Sequence, residues 1–108
     1  MNYKVLYTNT FKRELKRLSK KYVSLKSDFE NLLEKLEKEP FQGKPLGNNC
    51  FKVRLAIKSK HKGKSGGARV IIYIRIVHNE LILLTVYDKS EKSNISQKEL
   101  DEIIKNKM

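Results

Sequence analysis

The sequence predicts one α+β domain over residues 1–108, with a mainly antiparallel sheet and an N-terminal helical hairpin packed on it. A length of 108 residues suits a single hydrophobic core. Apolar residues recur at helical spacing between residues 11 and 36, and they follow strand patterns between residues 51 and 87. The predicted element order is therefore β-α-α-β-β-β-α.

The N-terminal elements are a short strand and two helices. Aromatic and β-branched residues over residues 1–8 predict the strand, and Asn9 and Thr10 are expected to cap the first helix. Pro40 is expected to stop the second helix. The two apolar stripes are Phe11, Leu15, Leu18 and Tyr22, and then Leu25, Phe29, Leu32, Leu33 and Leu36. A break near residues 21–24 favours a hairpin of two helices.

The second half of the chain predicts the sheet and a last helix. Residues 41–49 contain turn-forming residues and are predicted to form a loop. Residues 51–58 alternate, so one face of that strand is expected to be buried and the other basic. Residues 69–77 are nearly all apolar, as in a central strand, and a tight turn makes the last strand, residues 81–87, antiparallel to it. A capping box over Ser96–Glu99 begins the final helix.

Positive charge is concentrated in parts of the sequence. The formal net charge is +12, with 24 Lys and Arg residues against 12 acids. Residues 40–79 contain nine Lys and Arg residues and no acid, and residues 1–27 carry a net charge of +7. A merely soluble, lysine-rich protein is the alternative, but an acid-free block of this length predicts a localised patch. We expect a polyanionic partner, which is RNA, DNA or an acidic protein.

Composition argues against several other kinds of site. Cys50 is the only cysteine, so we expect no intramolecular disulfide and no cysteine metal site. The two histidines are 17 residues apart without a fixed carboxylate pattern, so we expect neither a metal nor a cofactor. No apolar run resembles a signal peptide or reaches membrane-spanning length. The sequence therefore predicts a cytoplasmic protein without a membrane partner.

A lysine-rich loop that leads into the central strand is the first candidate site. Its cations are Lys58, Lys60, Lys62 and Lys64, and they are followed by Gly66, Gly67 and Arg69. Paired glycines permit close approach of the backbone to a ligand, and the planar fork of arginine suits phosphate. We predict that the four lysines bind an RNA backbone, together with Lys52 before the loop and Lys92 after the last strand.

Strand geometry predicts a cluster around Arg69. Lys52 and Arg54 share one face of their strand because they are two residues apart. Antiparallel pairing across the last turn brings Tyr87 or Lys89 near Arg69. The predicted catalytic residues are Arg69, Lys89, Tyr87, Asp88 and Arg54.

This cluster suits cleavage of RNA by its own 2′-OH, which attacks the adjacent phosphate. Arginine and lysine stabilise the negative charge that develops in the transition state. A proton acceptor is also needed, and several candidates stay open. Asp88 and His61 have suitable ordinary pKa values, whereas a lysine would need neighbouring cations to lower its pKa.

A family resemblance that covers nearly the whole chain rests on the order of the predicted elements and on three segments, Phe51–Ala56, Gly63–Ile71 and Tyr87–Ser96. They resemble the RelE/ParE toxin superfamily, and the HigB-like group of RelE toxins is the most similar branch. The resemblance implies a RelE-like fold and the toxin of a type II toxin–antitoxin system. Such a toxin is a ribosome-dependent mRNA endoribonuclease, or mRNA interferase, that inhibits translation by metal-independent RNA cleavage. The implied partners are a cognate antitoxin, the ribosome and mRNA.

The resemblance also assigns roles to individual residues. The matching positions are Arg69 after the glycine loop, Lys52 and Arg54 on the preceding strand, and Lys89 after the last strand. Ser90 stands where an arginine often follows, and Ile95 falls near the tyrosine of some members. Tyr87 and Asp88 are candidates to replace those missing groups.

Two other functions stay open. A ParE-like, gyrase-directed toxin has the same fold without nuclease chemistry. A catalytically inactive RNA- or partner-binding module would keep the fold after losing the missing groups. The basic cluster favours the nuclease, because a gyrase poison does not require it.

Overall fold

The computed structural model describes residues 3–61, 63 and 66–106, which form three helices and one five-stranded sheet. The strands are β1 (Lys4–Tyr7), β2 (Lys44–Gly47), β3 (Cys50–Leu55), β4 (Ala68–Arg75) and β5 (Glu80–Asp88). The helices are α1 (Asn9–Lys21), α2 (Leu25–Lys38) and α3 (Gln97–Lys105). The predicted α+β class is confirmed. Strand β2 was missed in sequence because its proline and glycine are turn signals, although a short edge strand tolerates both.

The sheet places β4 and β5 at its centre, in the order β1-β5-β4-β3-β2. Strand β1 pairs with β5 in parallel, and the other neighbouring strands are antiparallel. A bulge in the pairing of β4 with β5, at Ile71 and Ile72, shifts the register. Near the end of β5, Arg69 lies opposite Tyr87, so the predicted proximity of these two residues is confirmed.

Helices pack on both faces of this sheet. Helices α1 and α2 bury Phe11, Leu18 and Phe29 against one face. Helix α3 buries Leu100 against the other face, in a cluster that includes Tyr87. Among the described residues, no helix has the length and apolar character that a membrane crossing needs. The apolar stripes predicted from the sequence are therefore core, and they leave part of the second face to polar residues.

Two local predictions were wrong. Helix α1 is capped by Thr8, whose hydroxyl oxygen accepts a backbone hydrogen bond of 3.0 Å from the first helical turn, and not by Asn9 or Thr10. Strand β4 ends at Arg75, and Val77 is 90% exposed in a short 3-10 turn. A hydrophobic side chain in a turn between two strands has no second layer to pack against, which periodicity alone does not reveal.

Candidate RNA-binding and active site

A row of three side chains crosses three neighbouring strands on the face that α3 packs against. Arg54 on β3 pairs with Arg69 on β4, and Arg69 pairs with Tyr87 on β5. Residues directly opposite each other in neighbouring strands project to the same face. Like charges opposite each other destabilise a sheet, so two paired arginines indicate a site for an anion. The predicted grouping of these three residues is present in the structure.

Two lysines flank this row and complete what we call the cationic face, defined by Lys52, Arg54, Arg69 and Lys89. Burial lowers the pKa of Lys52, and the positive charges of Lys44, Lys89, Arg69 and Arg54 lower it further. The Lys52 ammonium donates a hydrogen bond to the side-chain oxygen of Asn94 at 3.1 Å, and the Lys89 ammonium donates to the Ser93 carbonyl at 2.8 Å. Four cations thus share one surface, and a bound anion would reduce the repulsion between them.

Arg69 and Tyr87 form the floor of this face. Arg69 is 4% exposed, and its guanidinium donates to the Ala68 carbonyl at 3.1 Å. Burial raises the pKa of Tyr87, and the Arg69 charge opposes that change. The buried Tyr87 hydroxyl has no hydrogen-bond partner among the described residues. Tyr87 therefore stays protonated near neutral pH and is a donor rather than a base.

The carboxylate of Asp88 lies next to the cationic face and already accepts hydrogen bonds from three other side chains. Its carboxylate is completely buried and accepts hydrogen bonds from the Lys60 ammonium at 2.8 Å, the Ser90 hydroxyl at 2.8 Å and the Tyr22 hydroxyl. Burial alone would raise the pKa of Asp88, but the hydrogen bonds from Lys60, Tyr22 and Ser90 hold it well below its ordinary value. A buried carboxylate of such low basicity does not fit the prediction that Asp88 takes a proton from RNA.

Two predicted RNA-binding lysines also have partners inside the protein. The Lys60 side chain is 7% exposed, and its ammonium binds Asp88 and the Ser90 hydroxyl. Lys92 pairs with Glu99, and its ammonium lies 5.5 Å from the centre of the Tyr87 ring. These contacts occur because the turn after β5 folds back over the sheet, which the sequence does not reveal. Both charges are therefore less available to RNA than we predicted.

The remaining residues of the lysine-rich loop differ in their exposure and in the contacts that hold the ends of the loop. Lys58 is exposed, whereas the predicted RNA-binding residues Lys62 and Lys64 lie outside the described residues. The base of the loop is fixed by Asp28, whose carboxylate accepts a hydrogen bond from the Lys58 backbone at 3.0 Å. At the other end, a Cβ on Gly67 would lie 2.1 Å from the Leu55 carbonyl oxygen. Glycine is needed there because the two chain segments approach so closely.

Three residues that contact the site or influence its charge were not predicted from sequence. The helical pattern places Tyr22 in an apolar stripe, yet its hydroxyl binds Asp88 on β5. Asn94, which contacts Lys52, lies in the segment that carries the family resemblance but was given no role from sequence, and Lys44 falls in the strand that was predicted as a loop. No local pattern marks such partners, because each contact joins segments more than 40 residues apart or depends on the missed strand.

The chemistry of this site is cationic. Within residues 3–61, 63 and 66–106, no three His, Cys, Asp or Glu side chains are grouped in a way that would hold a metal ion. What the site offers is a pair of guanidinium groups, two ammonium groups and one phenol. Such a set is chemically suited to binding a phosphate, and its lysine of lowered pKa is the group most suited to exchange a proton.

A cluster of cations on one face of a small domain is typical of a protein that binds nucleic acid. Residues 3–107 match the family described as the RelE toxin of the RelE/RelB toxin–antitoxin system. The chain therefore belongs to the RelE toxin family of toxin–antitoxin systems.

Two solved structures resemble this fold. A chain in the crystal structure of the toxin–antitoxin complex RelBE2 from Mycobacterium tuberculosis is 25% identical, with a TM-score of 0.59. That match covers 82% of this chain and 99% of the other. A mutant of the E. coli toxin RelE, solved in the free state, is 17% identical, with a TM-score of 0.63 and 97% coverage of both chains. This second likeness concerns the fold alone.

Proposed function

We propose that this chain is a ribosome-dependent mRNA endoribonuclease that inhibits translation by cleaving mRNA without a metal ion. The observation that carries the proposal is the cross-strand row of Arg54, Arg69 and Tyr87, with Lys52 and Lys89 beside it. The two paired guanidinium groups suit the charged oxygens of a phosphodiester as its phosphorus becomes a five-coordinate phosphorane. Membership of the RelE family supports the same function.

The residues have distinct roles in the proposed reaction. The 2′-oxygen of the RNA forms a bond to the adjacent phosphorus, and the bond from phosphorus to the 5′-oxygen of the next nucleotide breaks. Arg54, Arg69 and Lys89 offset the charge on the phosphoryl oxygens. Lys52 accepts the 2′-OH proton, because burial and the neighbouring cations lower its pKa and so increase the fraction of this lysine in the neutral form. The leaving 5′-oxygen then takes a proton from the lysine or from water.

The proposed partners are a cognate antitoxin, the ribosome and mRNA. One similar structure is a toxin–antitoxin complex, which supports an antitoxin for this chain as well. An antitoxin with an acidic segment would complement the cationic face electrostatically. We also propose that the chain works in the cytoplasm, where its ribosomal target is found, and that it belongs to the HigB-like branch, which the Lys89–Asn94 segment resembles.

Arg54 gives the sharpest test of this function, because its side chain is exposed and its loss should not disturb the fold. We expect Arg54→Ala to reduce cleavage of a translated reporter mRNA by about 100-fold, as for loss of one donor to a developing charge. Primer extension after induced expression measures the cut sites. Lys38→Ala, at the exposed end of α2, removes the same charge away from the cationic face and should leave cleavage unchanged.

The outcomes separate the candidate functions. Cuts that need translation, and that weaken in Arg54→Ala alone, would support the nuclease. Growth arrest with intact mRNA and DNA damage would instead indicate a gyrase-directed toxin. Soluble protein that causes no arrest would indicate an inactive binding module.

A further inference from the structure

Strand β2 covers only one end of β3. Its register runs from Gly47 opposite Cys50 to Lys44 opposite Lys52, so the rest of β3 continues beyond it. At Gly43 the chain turns away so tightly that a Cβ there would lie 2.3 Å from the Lys52 carbonyl oxygen. The outer edge of β3 past this point therefore faces helix α2 across a groove.

This α2–β3 groove is continuous with the cationic face. It has a volume of about 860 Å³, and its lining includes Lys52, Arg54, Arg69 and Lys89. Beyond those four residues the lining includes Asn31, Lys35, Gln42, Lys44 and Lys58. The groove thus leads from the proposed cleavage site, around the edge of β3, to the helical layer on the other side of the sheet.

The added lining residues make the groove positive along its length. Lys35, Lys44 and Lys58 are exposed, and no salt bridge joins them to a carboxylate in the part of the chain that the structure describes. Asp28 contributes a carboxylate to the lining, but it is 4% exposed and accepts hydrogen bonds from Ser24 and the Lys58 backbone. A polyanion in the groove would therefore meet cations and very little opposing charge.

We propose that the α2–β3 groove binds the single-stranded RNA next to the cleaved phosphodiester. The inference rests on the proposed function, because it states where the RNA of that site continues. The volume falls in the range of pockets that enclose small molecules, so it has room for about one or two nucleotides. A strand of unpaired RNA can follow the edge of a sheet, with its phosphates against the lysines and its bases open to contact.

The test uses fluorescence anisotropy with RNA oligonucleotides that carry a 2′-deoxy residue at the cleavage position and so cannot be cut. One oligonucleotide spans only the cleaved step, and two others extend it by two nucleotides, one on the 5′ side and one on the 3′ side. Wild type should bind one extended oligonucleotide more tightly than the short one. The variant Lys35→Ala/Lys44→Ala should lose most of that gain, roughly fivefold in affinity, and reduce the salt slope by about 1.4.

The matched control is Lys26→Ala/Lys38→Ala, which removes two exposed charges from α2 outside the groove. It should keep the gain from the longer RNA. Retention of the gain in Lys35→Ala/Lys44→Ala, or no binding of any oligonucleotide at about 50 mM salt, would overturn the proposal. Binding of an oligoglutamate peptide, together with equal affinity for the short and the extended RNA, would also overturn the proposal. A failure of the proposed function would appear elsewhere, as uncut reporter mRNA in cells.

Discussion

Lys52 shows how position changes the chemistry of an ordinary residue. Lys52 is a half-buried residue on β3 and lies among other cations, and both conditions lower its pKa. From sequence, Asp88 was a candidate base with a suitable ordinary pKa, and Tyr87 was a candidate catalytic residue. The structure gives Asp88 a buried ion pair and Tyr87 a raised pKa, so neither is a suitable base. The lysine that the sequence assigned to RNA binding is therefore the better choice for proton transfer.

The first prediction concerns this proton transfer. Lys52→Arg keeps the positive charge but replaces an amine of lowered pKa with a guanidinium that does not lose its proton, so we expect cleavage to fall by about 100-fold with ribosome binding retained. Single-turnover cleavage on programmed ribosomes should rise with pH in the wild type, as the amine loses its proton, and should show no such rise in the variant. Equal rates for the two proteins would remove Lys52 from the proton-transfer role.

The second prediction concerns the buried pair of Asp88 and Lys60. Asp88→Asn should lower the free energy of unfolding by about 3 kcal/mol, because it leaves the Lys60 ammonium buried without its counter-charge. Glu91→Gln is the control, since Glu91 pairs with Arg17 in a more exposed salt bridge and its loss should matter much less. Urea denaturation at pH 7 measures both variants, and equal effects would contradict the buried-pair argument.

The same pair predicts how stability changes with pH. Because the pKa of Asp88 is lower in the folded protein than in the unfolded chain, its contribution is fully present above about pH 4. The contribution falls as acid protonates the carboxylate below that value. Wild type should therefore lose stability between about pH 4 and pH 2 more steeply than Asp88→Asn, about 3 kcal/mol at most. Parallel urea midpoints for the two proteins over this window would disprove the assignment.

At the scale of elements, the residue that caps α1 differs from the one predicted from sequence. Thr8 accepts the hydrogen bond of the first helical turn and donates to the Leu84 carbonyl at 2.8 Å, so it joins the helix to β5. We expect Thr8→Ala to cost about 1–2 kcal/mol of unfolding free energy. Thr10→Ala, at the position favoured by sequence, should cost much less. Chemical denaturation of both variants would decide, and the opposite ranking would restore the sequence prediction.

The central hairpin was the element most accessible from sequence. Two apolar runs with a short connection must pair antiparallel, and that rule alone placed Tyr87 near Arg69. The bulge at Ile71 and Ile72 was not accessible, because it depends on how the side chains of both strands pack. The conformation of the turn after β5 could not be predicted from sequence either, because Lys92 is oriented by a contact with α3 and Ser90 by a contact with the loop before β4.

At the scale of the whole molecule, the net charge of +12 matters less than where the charge lies. Lys16 and Lys20 are exposed on α1, which packs on the face of the sheet opposite the cationic face. Lys52 and Arg54 lie on the cationic face itself. Two pairs of cations therefore contribute equally to the net charge and unequally to the proposed RNA site.

The last prediction compares these pairs. Lys52→Ala/Arg54→Ala should reduce the slope of log affinity against log salt for an uncleavable single-stranded RNA by about 1.4, close to 0.7 for each phosphate that the variant no longer neutralises. Lys16→Ala/Lys20→Ala should leave the slope nearly unchanged, although it removes the same charge. Similar slopes for the two variants would mean that RNA responds to net charge and not to a defined face.

The sequence by itself determined the α+β class, the helical hairpin, the central pair of strands and the existence of a basic site around Arg69. It could do so because hydrophobic periodicity and short connections are local properties of the chain. Only the tertiary structure decided which cations stay available to a ligand. Lys60 forms a buried ion pair with Asp88, and Lys92 pairs with Glu99. Burial and neighbouring positive charges lower the pKa of Lys52. Such effects depend on distances between residues far apart in sequence, because burial and Coulomb interactions follow three-dimensional proximity.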